Sequence, residues 1–187
     1  MHELIPLRCL ETKSLLLKPM QLDYLGDYIR HFVDYRVIRF LSKNVPWPYP
    51  EDGVRHFLEE QIIPTQGSER FCFGIFLKVN PEELIGCIDL WRAPQPENRG
   101  FWLGFDFWGH GYMTEACEEM NRLAFEELNF ERLYFSNAVG NSRSSRIKRK
   151  TGAKFLEIIP AQFVDPVFNQ AELWILKRED WLCHQRR

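Results

Sequence analysis

The residues with the clearest capacity for chemistry lie in one run, Trp108-Gly109-His110-Gly111-Tyr112-Met113-Thr114-Glu115-Ala116. Two glycines flank His110, and apolar residues then recur at three and four: Met113, Ala116, Cys117, Met120, Leu123, Ala124 and Leu128. That spacing gives a helix one greasy face. Glu115, Glu118 and Glu119 crowd its start, where the helix dipole favours negative charge. Ahead of the glycines, Gly100 to Phe107 is rich in aromatics and predicts a buried strand. Strand, glycine turn and helix N-terminus in that order bring unpaired backbone amides to one point, which suits an anion such as phosphate. The same residues also fit an ordinary tight turn. They are not a P-loop, because no Gly-Lys-Ser/Thr follows. Nor are they a dinucleotide fingerprint, since Thr114 stands where the third glycine belongs.

A second stretch, Gly140 to Gly152, carries Arg143, Arg146, Lys148, Arg149 and Lys150, with Lys154 just beyond. Asn141 or Ser142 can cap a short basic helix there, and Gly152 suits its C-terminal end. The run reads either as a solvated helix face or as a local attraction for a ligand's phosphate. No aromatics interleave with it, and the formal net charge is −2, so a nucleic-acid partner is not expected. The five cysteines and five histidines are scattered without metal-ligand spacing. A reduced, metal-free, cytoplasmic protein is the expectation. No apolar run has the length of a membrane span, and the first residues lack a signal peptide's apolar core, so no membrane partner is expected.

These stretches need a frame, and 187 residues predict one domain, 1–187. Ser14 to Lys18 predicts a strand stopped by Pro19, and Gln21 to Phe40 one or two helices broken near Asp34. Val45-Pro46-Trp47-Pro48-Tyr49-Pro50 must be extended, because its prolines lack donors. Trp47 and Tyr49 then either pin a loop to the core or rim a substrate cleft. A helix follows from about Glu51 to Ile63, ended by Pro64. Phe71–Val79, Leu84–Trp91 and Gly100–Phe107 form an antiparallel meander, the last two joined by a loop over 93–98. Arg132–Val139 follows the central helix as a strand parallel to the third of these. Strands at Ala153–Ile159 and Ala171–Lys177 complete about seven. A sheet that changes from antiparallel to parallel leaves a gap for a ligand.

Taken with Gly100-Phe101-Trp102-Leu103-Gly104, the run Trp108 to Ala116 and the pattern Asn141-x-x-Ser144-x-x-Ile147-x-x-Lys150-x-Gly152 resemble the GNAT family of acetyl-CoA-dependent N-acetyltransferases. With the ending Leu176 to Trp181, the chain is most similar to the branch of ribosomal-protein N-terminal and spermidine acetyltransferases. The resemblance implies an α/β (α+β) GNAT fold: a mixed, mostly antiparallel sheet splayed between strands four and five, with helices on both faces. It implies acetyl-CoA as donor, no metal, and a primary amine as acceptor. The amides of Trp108, Gly109, His110, Gly111, Tyr112, Met113 and Thr114 would cradle the CoA pyrophosphate. Backbone groups around Leu103 would hold the pantetheine arm and polarise the thioester. Asn141 would bond the pantetheine end, and Ser144 would bind near the thiol. The family's usual Gln/Arg is Trp108 here, its small residue is Met113, and Arg149 replaces the commoner Glu.

The implied reaction is direct attack of a neutral amine on the thioester in a ternary complex. Ser144 would protonate the departing thiolate. Asp89 and Glu172, on predicted strands, are candidate general bases, with bound water as the alternative. The acceptor expected is a protein N-terminal α-amine, because the predicted cleft segments supply only Asp165 as an acid. A polyamine or other small amine is the runner-up. A non-catalytic acyl-CoA-binding module is the reading from another class, and the assembly expected is a monomer or homodimer.

Overall fold

The computed structural model describes residues 4–92 and 97–186. Part of the predicted loop over 93–98, residues 93–96, lies outside them. Five strands form an antiparallel sheet in chain order: β1 (Leu10–Glu11), β2 (Leu15–Pro19), β3 (Arg70–Leu77), β4 (Asn80–Trp91) and β5 (Arg99–Leu103). A second antiparallel sheet places β8 (Gln170–Lys177) between β6 (Arg132–Ala138) and β7 (Lys154–Pro160). The two sheets meet at one corner. There the Asn98 N–H donates to the Tyr134 carbonyl (2.9 Å) and the Tyr134 N–H donates to Asn98 Oδ1 (3.0 Å). Past that corner β5 and β6 share no ladder, so the splay falls where the meander gives way to the strand after the central helix.

Alternation along the strands covers both faces of the larger sheet. Phe71, Phe73 and Ile75 of β3 join Leu15, Leu17 and Leu103 against α4 (Tyr112–Arg122), through Met113, Ala116, Cys117 and Met120. Cys72, Cys87 and Trp102 face the other way. They pack on α1 (Leu25–Phe32), α2 (Tyr35–Ile38) and α3 (Gly53–Phe57) through Tyr28, Phe32, Val37, Ile38 and Val54. Among the described residues no helix is long and apolar enough to cross a membrane.

Several elements differ from their sequence-based bounds, among them β4, which begins at Asn80 rather than Leu84. The strand expected from Gly100 to Phe107 stops at Leu103, and Phe105–Phe107 is a 3-10 turn. Gly104 makes the last bond to β4, donating to Ile85 (2.8 Å). A Cβ on Gly104 would come within 3.1 Å of the His31 side chain, so a larger residue at this bend would have to push that side chain aside. The helix expected over Glu51–Ile63 is divided into α3, a π-turn at Leu58–Ile62 and a 3-10 turn at Ile63–Thr65 that contains Pro64. The two-residue β1 was not expected, being too short for a periodic signal.

Candidate active site at the splay between the sheets

The register of β5 decides which backbone groups reach the splay. Gly104 bonds Ile85, and the antiparallel pairs run Gly86↔Leu103, Cys87↔Trp102 and Ile88↔Phe101. Alternation then turns Gly100, Trp102 and Gly104 towards β4, and the N–H and C=O of Arg99, Phe101 and Leu103 towards the opening. One of those groups is engaged: the Leu103 carbonyl accepts the Trp108 indole N–H at 2.7 Å. A cavity of about 510 Å³ fills the opening, between β5, β6, the start of α4 and α5 (Ser142–Lys150).

At one end lies the glycine turn. Gly109 (φ 87°) and Gly111 (φ 86°) are both left-handed, and Gly111 is the N-cap of α4 without any side-chain cap. A Cβ on either would meet nothing within 4 Å, so it is conformation, not space, that demands glycine. Gly109, Gly111, Tyr112, Met113 and Thr114 line the cavity, so the free amides of the first helical turn open into it. His110 is not among the lining residues; its ring stacks on Tyr112 at 5.5 Å. A Gly111→Ala chain should melt roughly 3–6 °C lower, because a left-handed alanine costs about 1–2 kcal/mol; a thermal denaturation series checks this.

The basic run divides. Arg143, Arg146, Lys148 and Lys150 line the cavity, with Arg143 stacked 4.2 Å over the Trp108 ring. Arg149 lies 5.6 Å from the Trp174 ring, and Lys154 pairs with Asp180 at 2.6 Å. Arg143, Arg146 and Lys150 are solvent-exposed and also line the cavity, so neither reading of this run, solvated face or attraction for a ligand's phosphate, excludes the other. Free amides and several cations around one opening are the chemistry of an anion site.

Further along α5, Asn141 caps the helix by accepting from the Ser144 N–H (3.3 Å), and both residues line the cavity. Ser144 Oγ accepts a hydrogen bond from Lys148 Nζ at 2.7 Å. Lys148 is only 1% exposed. Burial first, and then the charge of Arg99, push its amine down to about 7. Arg99 is also buried, with its guanidinium 3.9 Å over Phe135 and one nitrogen on Asn121 Oδ1 (2.8 Å).

Besides His110, four sequence-based candidates lie away from the cavity. Asp89 sits on β4, with β5 between it and the opening, and its carboxylate is held by Arg70 at 2.7 Å. Burial lifts that carboxyl to about 7 against the pull of Arg70. Glu172 is built into the frame: it accepts from Ser145 Oγ (2.6 Å), Asn137 Nδ2 (3.2 Å) and Trp174 Nε1 (3.2 Å). Asn137, which Glu172 steadies, does line the cavity, and its Oδ1 has no partner among the described residues. Trp47 is exposed beside Tyr35 (5.3 Å), and Tyr49 packs on Phe32 (5.4 Å), over the α1–α3 face. Neither rims the cavity. Lys148, Arg99 and Asn137 were not singled out from sequence. Lys148 had a signal, the four-residue spacing from Ser144.

The far end is formed by Val37, Phe40, Leu41 and Ser42 with Ala161, Gln162 and Phe163. These two segments are strapped together by Lys43 N–H to Gln162 O (3.0 Å), Val164 N–H to Leu41 O (2.9 Å) and the Arg39–Asp165 ion pair (2.6 Å).

A family model described as an acetyltransferase (GNAT) domain matches residues 14–154. YdaF of Bacillus subtilis (strain 168), provisionally named a ribosomal N-acetyltransferase, is 31% identical over 104 residues, 52% of this chain and 56% of its own. An Aspergillus fumigatus protein named FsC-acetyl coenzyme A-N(2)-transacetylase is 28% identical over 151 residues, 71% of this chain and 64% of its own. The chain thus spans between about half and two thirds of the length of these curated relatives. A solved structure from T. thermophilus, titled provisionally as an acetyltransferase, superposes with a TM-score of 0.75 at 28% identity, covering 97% of this chain and 95% of that one. The matched segment takes in the splayed strands, the glycine turn and α5, and the chain belongs to the GNAT acetyltransferase family.

Proposed function

We propose that the chain transfers an acetyl group from acetyl-CoA to a primary amine, and that the amine is the α-amine of a protein N-terminus. One observation carries the first part: the free amides of the glycine turn and the Ser144 hydroxyl open into the same cavity, beside outward-facing backbone groups of β5. In this reading the amides from Gly109 to Thr114, with Arg143, Arg146 and Lys150, hold the pyrophosphate. The pantetheine arm runs along Phe101 and Leu103, whose amides are placed to polarise the thioester carbonyl. Asn141 flanks the arm, and Ser144 protonates the departing sulfur. In this reading water takes the amine's proton, since the Asp89 carboxylate is held by Arg70 and that of Glu172 by Ser145, Asn137 and Trp174. Among the described residues no group of three or more His, Cys, Asp or Glu is gathered to hold a metal.

The acceptor follows from the far end. Val37, Phe40, Leu41, Ser42, Ala161, Gln162 and Phe163 are all uncharged, and Asp165 is neutralised by Arg39. A polyamine's second ammonium finds no free carboxylate among them. Among the described residues the cavity's one lining carboxylate, Glu97, is bonded by Ser136 at the β6 side. A peptide, by contrast, asks only for an apolar, hydrogen-bonding channel. The ribosomal name of YdaF agrees with a protein acceptor. The name of the Aspergillus relative favours a small-molecule amine as the second reading.

Calorimetry with CoA, followed by thiol release against N-terminal peptides, spermidine and a panel of other small amines, tests this. Heat with CoA and turnover of peptides is the expected result. Heat without turnover of any amine would leave a CoA-binding module, and no heat on folded protein would end the reading. Replacing Arg143 and Arg146 together by Ala should raise KM for acetyl-CoA about 10–100-fold with kcat little changed, as uniform binding contacts do.

A further inference from the structure

Lys148 has an odd placement for a lysine. It is fully buried and lines the cavity, and its amine is bonded to one group, the Ser144 hydroxyl at 2.7 Å. Among the described residues no carboxylate lies within ion-pair distance of it. Burying an ammonium without a counter-charge is costly, and a helix position that only needed filling would be met by an apolar residue.

We propose that Lys148 is a positioning residue for acetyl transfer, which aims the Ser144 O–H into the cavity and replaces the proton that Ser144 gives up. The inference rests on the reading of Ser144 as the group that protonates the thiolate. An ammonium is a donor only, so Lys148 occupies a lone pair of Ser144 Oγ and leaves the hydroxyl hydrogen to point elsewhere. The Asn141 cap takes up the Ser144 backbone N–H, so the hydroxyl is not needed to satisfy that end of the helix. When the tetrahedral intermediate collapses, the C–S bond breaks and its electron pair stays on sulfur. The Ser144 proton passes to that sulfur, and a Lys148 N–H proton passes to Oγ. A neutral amine remains on Lys148. The proton that the acceptor amine lost to water balances the cycle when Lys148 is reprotonated.

The groups around Lys148 suit this exchange. Arg99 on β5 disfavours its charge, while Cys117 on α4, Glu97 and Glu172 on β8 favour it. Together with burial they place the amine at about 7, where gain and loss of a proton are both accessible. The Phe101 ring lies 5.6 Å from Nζ and keeps the charge against the strand that would carry the pantetheine arm.

The test compares wild type with Lys148→Met and Lys148→Gln in three readouts. The first is kcat against pH at saturating acetyl-CoA. Wild type should fall on the alkaline side as Lys148 loses its proton; both variants should be roughly 10–100-fold slower at neutral pH and lack that limb. The second is CoA affinity by calorimetry, expected within about threefold of wild type, which separates this proposal from loss of the cofactor site. The third is the ultraviolet absorbance of bound CoA thiolate, whose ionisation should move to higher pH in the variants by about one pH unit, since the cation behind Ser144 is gone. Variants that bind CoA normally and keep the wild-type kcat, alkaline limb and thiol ionisation would overturn the proposal, and either variant alone suffices if the other fails to fold. Wild-type protein that binds CoA but turns over no amine would instead sink the acetyltransferase reading, with the thiolate titration still deciding whether Lys148 governs Ser144.

Discussion

Ser144→Ala should lower kcat by roughly 10²–10³-fold, the usual worth of a positioned general acid, while KM for acetyl-CoA changes little. The hydroxyl is the one O–H described on α5 that is both buried against the cavity and bonded to a second residue lining it. The loss should fall on the step that expels the thiolate, so acceptors of different amine basicity should be slowed alike. The variant also leaves Lys148 without its hydrogen-bond partner, which costs about 1–3 kcal/mol for a buried charged donor. A lower melting temperature is therefore expected alongside the kinetic loss, and the two effects must be measured on the same preparation. The decisive comparison is a double-mutant cycle. If Ser144 and Lys148 act as one unit, Ser144→Ala with Lys148→Met should be no slower than Ser144→Ala alone. Independent, multiplying losses would mean that Lys148 acts elsewhere, and an unimpaired Ser144→Ala enzyme would remove the general-acid role.

The parts of the site that work through the backbone were legible in the sequence, and the parts that work through side chains largely were not. A glycine either side of His110 specifies left-handed backbone wherever the turn ends up, and Asn141 three residues ahead of Ser144 is a cap in any context. Those local signals place the two ends of the cavity wall. Asp89 and Glu172 show what local signals miss. Alternation tells which face a strand carboxylate occupies, but only the sheet order puts β5 between Asp89 and the opening, and only the β6–β8–β7 order turns Glu172 onto Ser145 and Asn137. The prolines around Trp47 and Tyr49 keep that segment out of helix and strand, but it bends at Trp47 and Pro48 rather than running extended. Which surface that segment crosses is set by α1 and α2, with Tyr49 drawn to Phe32. Lys148 was hidden by its neighbours, since the five basic residues between Arg143 and Lys150 read as solvent-facing until the helix phase is known. The phase buries one of them, Lys148, under Phe101 and leaves Arg143, Arg146, Arg149 and Lys150 exposed.

Replacing Lys148 by Met should stabilise the folded protein, and the gain should depend on pH in one direction. The lysine amine moves from 10.5 in the unfolded chain to about 7 in the folded one, first through desolvation. At about 1.36 kcal/mol per pH unit this corresponds to a cost on the order of 4–5 kcal/mol for holding the charged form in place. The bond to Ser144 is already part of that environment, and Met would strand the Ser144 hydroxyl at roughly 1–2 kcal/mol, so a net gain of about 2–4 kcal/mol is expected. For a domain of this size that is a rise in Tm of roughly 5–12 °C. The sign with pH follows from proton counts. Between about 7 and 10.5 the unfolded chain binds a proton that the folded one has released, so wild-type stability climbs as pH rises through that window. At and below about pH 7 the full cost is present in wild type; above 10.5 both states are neutral and the cost is gone. The Met variant carries no such term. Its advantage should therefore be greatest at neutral and mildly acidic pH and should shrink steadily towards about pH 10, as read from denaturant unfolding of both proteins at matched pH values. A variant less stable than wild type at about pH 7, or an advantage that grows with pH, would show that Lys148 reaches solvent in the folded state and keeps its ordinary basicity there.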